Sequence, residues 1–315
     1  MDPNPVYLRS MRKSIVGTMI LAVFALSYWG QRSFDHSTDI ASQSPDAGYR
    51  RIISLAPSVT EILFALGLGD RVQGVTQYCL YPPEAQEKPR IGAHFDTNYE
   101  AILSLEPDLI VLLPVSTDAR ERFAELGLRT REVDHRTLKG ILDSIAVIGK
   151  DCEVPDRSDA LLEEIHARIE KVRRRVAGLE RPTVLVSAGR TKGTDKLDEV
   201  YAAGRGQWYD DVIEMAGGRN ALVEEGIPFP SLTGEGLVRL DPDVIVEMAQ
   251  VNEERGITAE SIVGDWDVLP ELGAVREGRI HVLSGDHTTI PGPRFVQIVE
   301  ELARVLHPDV DWDAS

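Results

Sequence analysis

The chain has 315 residues, 43% of them hydrophobic and 27% charged, and carries a formal net charge of -17 at pH 7. This length and apolar content suit an ordinary soluble globular protein with one large domain or two medium ones, each able to bury its own core. The acidic balance leaves no basic face to neutralise phosphates, so no nucleic-acid partner is expected.

Arg9, Arg12 and Lys13 precede an uncharged, largely apolar run over 14–29. A basic segment before a short apolar run is the export pattern, and this run is shorter than the roughly 20 residues of a comfortable membrane span. Ala25-Leu26-Ser27 is a usable cleavage site, whereas Tyr28 and Trp29 suit an uncleaved interfacial anchor. Residues 1–29 are therefore expected to be a signal peptide or membrane anchor. That places the body of the protein in the periplasm or on the outer face of the cytoplasmic membrane. The polar, pattern-free stretch 30–49 reads as a flexible linker.

From residue 50 short apolar strands alternate with helices. RIISLA is a strand, SVTEILFALGL a helix with Gly67 as its stop signal, and RVQGVT the next strand. After a loop rich in proline and aromatic residues come the helix YEAILSL, the strand DLIVLL, the helix DARERFAELG, the strand RTREV and the helix TLKGILDSIAVIG. Strands separated by helices of about ten residues imply parallel βαβ units.

The stretch 155–180 breaks that rhythm. Pro155 and Asp156 open it, Gly178 closes it, and its apolar stripe (Leu161, Leu162, Ile165, Ile169, Val172) is one face wide. It reads as a stiff helical connector. The alternation then restarts with PTVLVSA, GQWYDDVIEMAGG, GEGLVRL and DVIVEM, and closes with the strand RIHVLS and an amphipathic helix over 293–307. The expected layout is an N-terminal α/β lobe over 50–152, a connector over 153–180 and a C-terminal α/β lobe over 181–315.

The two halves share a phrase. NYEAILSLEPDLIVLL at 98–113 is echoed 135 positions on by GEGLVRLDPDVIVEM, matching Glu100 to Glu235, Leu105 to Leu240, Pro107 to Pro242 and Asp108 to Asp243. Each glutamate falls in a helical first turn, where a carboxylate offsets the helix dipole by about 0.3–1 kcal/mol. Thr97 and Thr233 are the expected N-caps.

Motifs of catalysis are absent from the sequence. It holds no G-x-S-x-G elbow, no Walker A loop, no H-E-x-x-H and no G-x-G-x-x-G after a strand. Its seven histidines are scattered, with no pair at a metal-ligand spacing. Binding is favoured over catalysis, and no catalytic residue, catalytic cofactor or resident metal is expected. Cys79 and Cys152 suit an exported compartment either as one disulfide or as two separate thiols.

Six stretches resemble, in order, the metal-chelate substrate-binding proteins of ABC importers. They are RIISLAPSVTEILFALGLGDRVQGVT, YPPEA, NYEAILSLEPDLIV, MAGGRN, EGLVRLDPDVIV and the run from Trp266 to Leu283. The likeness is to the group with a rigid helical backbone, which serves cobalamin, haem and siderophores, and it covers the chain from about 50 to 307. It implies an α/β fold of two Rossmann-like lobes with parallel sheets joined by one long α-helix. It also implies a monomer that holds its ligand between the lobes and delivers it to a permease dimer with ATPase subunits. In that family one surface glutamate per lobe docks to permease arginines, and Glu100 and Glu235 occupy those places.

The same resemblance implies a ligand-binding set of Ser58, Tyr78, His94, Phe95, Arg136, Arg190 and Phe229. Cobalamin-binding relatives carry aromatics at the positions of Tyr78, His94 and Phe229, and flat rings bury much apolar area with little entropy lost. His94 stands where those relatives have a tryptophan, and Ala188 where a further aromatic is expected. The His94 imidazole is also a possible axial ligand to cobalt or iron. Arg136 and Arg190, each near a strand end, are the cations an anionic siderophore would need. A cobalamin-like corrinoid leads, with an iron chelate or haem as alternative. Trp208 and Trp266 are expected in the core. Rivals from other classes are an envelope enzyme depending on His94 or Asp96, and a sensor on the same scaffold.

Overall fold

Nine-residue α1 (Pro57–Ala65) follows β1 (Ile52–Ser54) directly, and Pro57 takes the first helical position, where a missing N–H costs nothing. The helix runs out at Leu66 and Gly67, and Gly67 adopts the left-handed φ of 67° that favours glycine. The computed structural model describes residues 48–93, 96–190, 197, 199–224 and 226–313. The first half continues with β2 (Val72–Val75), α2 (Tyr99–Ser104), β3 (Leu109–Leu112), α3 (Thr117–Glu125), β4 (Thr130–Glu132) and α4 (Leu138–Asp151). Its strands pair in parallel in the order β2-β1-β3-β4. Every residue of β1 and β3 is buried, which is why both read as unbroken apolar runs.

The connector is α5 (Pro155–Val176), 22 residues long. Its stripe does what its spacing predicts: Ile165, Ile169 and Val172 are buried, and Leu161 and Leu162 pack on the same core. That core also takes in Ile52 and Val111 from the first sheet and Val184 and Val246 from the second half. The connector is therefore packed into both halves rather than strung between them.

The second half comprises β5 (Thr183–Arg190), β6 (Val200–Ala202), α6 (Trp208–Met215), β7 (Arg219–Asn220), β8 (Ser231–Leu232) and α7 (Gly234–Leu240). Then follow β9 (Val244–Ala249), α8 (Ala259–Gly264), α9 (Gly273–Arg276), β10 (Ile280–Ser284) and α10 (Phe295–Leu306). Here the sheet is mixed, with a parallel centre and an antiparallel edge. The order is β10-β9-β5-β6-β8, parallel through β5, with β7 also parallel to β5, whereas β6 and β8 are antiparallel to their neighbours. The chain between Arg190 and Val200 is shorter than the dozen or so residues a parallel crossover needs, so β6 has to return alongside β5.

The echoed phrase is one piece of backbone used twice. Asp108 accepts hydrogen bonds from the backbone N–H of Arg50 (2.7 Å) and Arg51 (2.9 Å), tying the start of β3 to the start of β1. Asp243 accepts from the N–H and hydroxyl of Thr183 (2.7 and 2.6 Å), tying the start of β9 to β5 in the same way. Glu106 and Asp241, also 135 positions apart, both take left-handed φ values, 46° and 40°, just past α2 and α7. The caps differ from expectation on one side. Thr233 caps α7 through a bond from the Gly236 N–H (3.3 Å), but Asn98 rather than Thr97 caps α2, accepting from the Ala101 N–H at 3.0 Å.

Cys79 and Cys152 are both free and buried, so they are separate thiols and not a disulfide. The Cys79 sulfur sits 3.1 Å from the hydroxyls of Thr60 and Thr76. Cys152 closes α4, and burial pushes its thiol up to about 12.

Candidate ligand cleft and docking faces

Loops at the carboxyl ends of the parallel strands are where open α/β sheets hold ligands. In this chain the loops of the two halves meet there. The Arg136 carbonyl, just after β4, accepts a hydrogen bond from the Trp208 N–H at the start of α6 (3.0 Å). Next to it the Leu138 N–H donates to the Asp211 carboxylate (3.3 Å). A second junction centres on Arg294, just before α10. Its guanidinium donates to Glu61 of α1 (2.9 Å from Nε) and to Asp286 (2.9 and 3.1 Å), and lies 3.7 Å from the centre of the Tyr81 ring.

This Arg294 junction is low in solvent and charged. Burial raises Glu61 above the usual carboxylate range, against the pull of Arg294. Asp286 is lowered chiefly by its hydrogen bond from Arg294. Burial works against the charge on Arg294, but its bonds to Glu61 and Asp286 outweigh it and raise the group. A groove of 720 Å³ runs beside it, lined by Phe64, Tyr81, Leu161 and Arg168 among others. Neither Glu61 nor Arg294 stood out in the sequence, because 233 positions separate them.

The predicted ligand residues fare unequally. Tyr78, in the loop after β2, is 60% exposed, with Leu80 and Tyr81 also exposed beside it and Cys79 turned inward. Phe229 is half-buried and meets the Tyr209 ring edge-on at 6.4 Å, and Tyr209 stacks on Trp208 at 3.7 Å. That aromatic chain reaches from Phe229 to the Arg136 junction. Arg136 is exposed but its guanidinium is held on Asp134. His94 and Phe95 lie outside the described residues.

Two predictions need correction. Ser58 is buried, and its hydroxyl is 2.8 Å from Nδ1 of His135, so it is committed to that ring and not presented at a surface. The side chain of Arg190 is buried as well, between Glu247 and Asp265 (2.7 Å to the latter), with a further bond to the Ile262 carbonyl (2.9 Å). Two buried carboxylates need an internal cation, and Arg190 is that cation. Trp266 donates its indole N–H to Glu247 (2.9 Å) and is wholly buried, while Trp208 is 5% exposed, so both are core residues as expected.

His135 was missed by sequence reasoning, although it directly follows a strand, in DHR. It is 4% exposed, and burial, opposed by Asp134, lowers its pKa to about 4, so the ring is neutral near pH 7. Its Nε2 has no hydrogen-bond partner among the described residues. Among those residues, too, no group of three His, Cys, Asp or Glu could hold a metal ion.

Glu100 and Glu235 each occupy the second position of their helix, α2 and α7, and both are exposed. Asn98 and Thr233 already do the capping. Among the described residues neither glutamate has an ion-pair partner or a side-chain hydrogen bond. The bland role of helix cap is thus filled by others.

A family profile described as periplasmic binding protein matches residues 52–286. The chain belongs to the periplasmic binding protein family. This periplasmic binding protein is 30% identical over 260 residues to a vitamin B12-binding protein of Vibrio cholerae, covering 81% of this chain and 88% of the relative. It is 28% identical over 268 residues to an uncharacterised ABC transporter substrate-binding lipoprotein, YvrC, of Bacillus subtilis, covering 82% and 81% of the two chains. Among solved structures it is similar to the periplasmic haem-binding protein RhuT of Roseiflexus, with a TM-score of 0.67 and 28% identity over 83% of this chain and 99% of that one.

Proposed function

We propose that this periplasmic binding protein captures a cobalamin-like metal chelate outside the cytoplasmic membrane and delivers it to an ABC permease, with no chemistry on the ligand. The observation that carries this reading is its likeness to the vitamin B12-binding protein of Vibrio cholerae over most of both chains. The exposed Tyr78 and the half-buried Phe229, which meets the buried Tyr209 ring edge-on, support it, since a large flat ligand is held by aromatic faces around few polar groups. The Bacillus relative's name supports both the ABC partner and an extracytoplasmic site. Residues 1–29 would serve as signal or anchor and 30–49 as tether.

Glu100 and Glu235 are the proposed contacts to permease arginines. Two such charges, one per half, fix orientation and speed encounter more than they raise affinity. Motion between the halves should be small, because α5 is packed into both and Arg294 ties them together.

Haem is the second reading. It is favoured by the likeness to RhuT and by the imidazole of His94 at a position where cobalamin-binding relatives carry tryptophan. The siderophore reading loses one of its two cations now that Arg190 is buried. Titration of the purified protein with cyanocobalamin, haemin and a ferric hydroxamate siderophore separates these readings. Sub-micromolar binding of cyanocobalamin is expected; tighter binding of haemin would select the second reading, and binding of none would refute both.

A further inference from the structure

The two candidate docking faces share more than a glutamate. One turn beyond Glu100 is Leu103, 40% exposed, and one turn beyond Glu235 is Val238, 36% exposed. These two positions are again 135 apart, so each half offers an unpartnered carboxylate with an exposed aliphatic residue three positions on. Single exposed aliphatics carry no meaning. The same pair presented twice by one chain matches a partner that presents one surface twice, which is what a permease with two like subunits does.

The second half adds a groove that borders its face. It has a volume of 310 Å³ and is lined by Leu222, Val223, Ile227, Leu232 and Leu240, with Arg239 of α7 at its side. Val223 is 79% exposed and Ile227 60% exposed, so the groove, which Glu224 also lines, presents two exposed aliphatic side chains at the β8–α7 corner that carries Glu235.

We propose that this groove seats an apolar side chain of the permease, next to the cation that Glu235 receives, so that the second half is the stronger of two unequal docking points. The inference rests on the docking role proposed for Glu100 and Glu235. Charge steers the encounter, and an apolar anchor buried beside it then slows dissociation.

The test is a photo-crosslinking residue at Val223 in the full-length protein, made in cells that carry its transporter, with the adduct identified by mass spectrometry. A control is placed at Val147 of α4, which is 37% exposed and far in sequence from either face. An adduct with an ABC permease subunit at 223 and not at 147 is the expected result. Adducts only with lipid or with a second copy of this chain, or no adduct, overturn the proposal. In parallel, Val223→Asp combined with Ile227→Asp should weaken permease association about tenfold or more while cyanocobalamin affinity holds. If Glu100→Ala and Glu235→Ala weaken association but the groove variants do not, the groove fails and the docking reading stands. If the glutamate variants have no effect, the docking reading itself fails.

Discussion

The segment from Asn98 to Leu112 and the segment from Thr233 to Met248 are near copies in sequence but sit in different surroundings. Their shared residues divide by role. Asp108 and Asp243 are spent on the backbone at the start of a neighbouring strand, and Glu106 and Asp241 hold the same left-handed corner. Glu100 and Glu235, by contrast, are spent on nothing within the described residues. A repeated acidic residue that is fully engaged belongs to the fold; one that is repeated and idle invites a partner. The surroundings differ because the first segment lies in an all-parallel sheet, whereas the second follows an antiparallel edge strand, β8, whose corner with α7 opens a groove.

The largest expected effect comes from cutting a link between the two halves. Arg294→Met leaves Glu61, 3% exposed, as a buried carboxylate without its cation, and should cost about 3 kcal/mol in urea unfolding. Adding Glu61→Gln to that variant should recover part of the loss. A cost below about 1 kcal/mol would mean that the Arg294 junction contributes little to holding the halves together.

Next come the engaged aspartates. Asp108→Ala and Asp243→Ala each remove two hydrogen bonds to the start of a neighbouring strand, both from backbone N–H groups for Asp108 and one from a backbone N–H and one from a hydroxyl for Asp243, and should cost about 2 kcal/mol, similar on the two sides if the repeat is structural. Asp243 adds a pH signature, because its hydrogen bonds from Thr183, chiefly that from the hydroxyl, hold it below the usual carboxylate range. A folded-state value below the unfolded value of about 3.9 contributes stability that is present above that value. This contribution is lost as pH falls from about 4 through the folded value. Asp243→Asn should flatten stability in that window, as read by unfolding midpoints between about pH 5 and 2.

The smallest effects separate caps from glutamates. Asn98→Ala and Thr233→Ala should each cost about 1 kcal/mol. Glu100→Ala and Glu235→Ala should stay within about 0.5 kcal/mol of the parent, since they offset only the dipole. Equal losses for caps and glutamates would return both glutamates to a structural role.

Much of this fold was legible because it rests on local pattern. The unbroken apolar runs of β1 and β3, the stripe from Leu161 to Val172, and Gly67 all carry their signals within a few residues. What escaped depends on distant partners. The burial of Arg190 is set by Glu247 and Asp265, that of Ser58 by His135, and the junction at Arg294 by Glu61, each 57 or more positions away. The choice of Asn98 over Thr97 as cap is a one-residue boundary shift, and boundaries are the least local part of a helix signal. Of the candidate site residues, Tyr78, Glu100 and Glu235 are exposed, whereas Ser58 and the Arg190 side chain are buried.

The most direct measurement compares the parent with the Glu100→Ala, Glu235→Ala double variant in two assays on the same preparation: affinity for cyanocobalamin, and cyanocobalamin uptake by cells that depend on the protein. The account predicts affinity within about twofold of the parent and uptake reduced about tenfold or more. Unchanged uptake, or affinity that falls together with uptake, would contradict it.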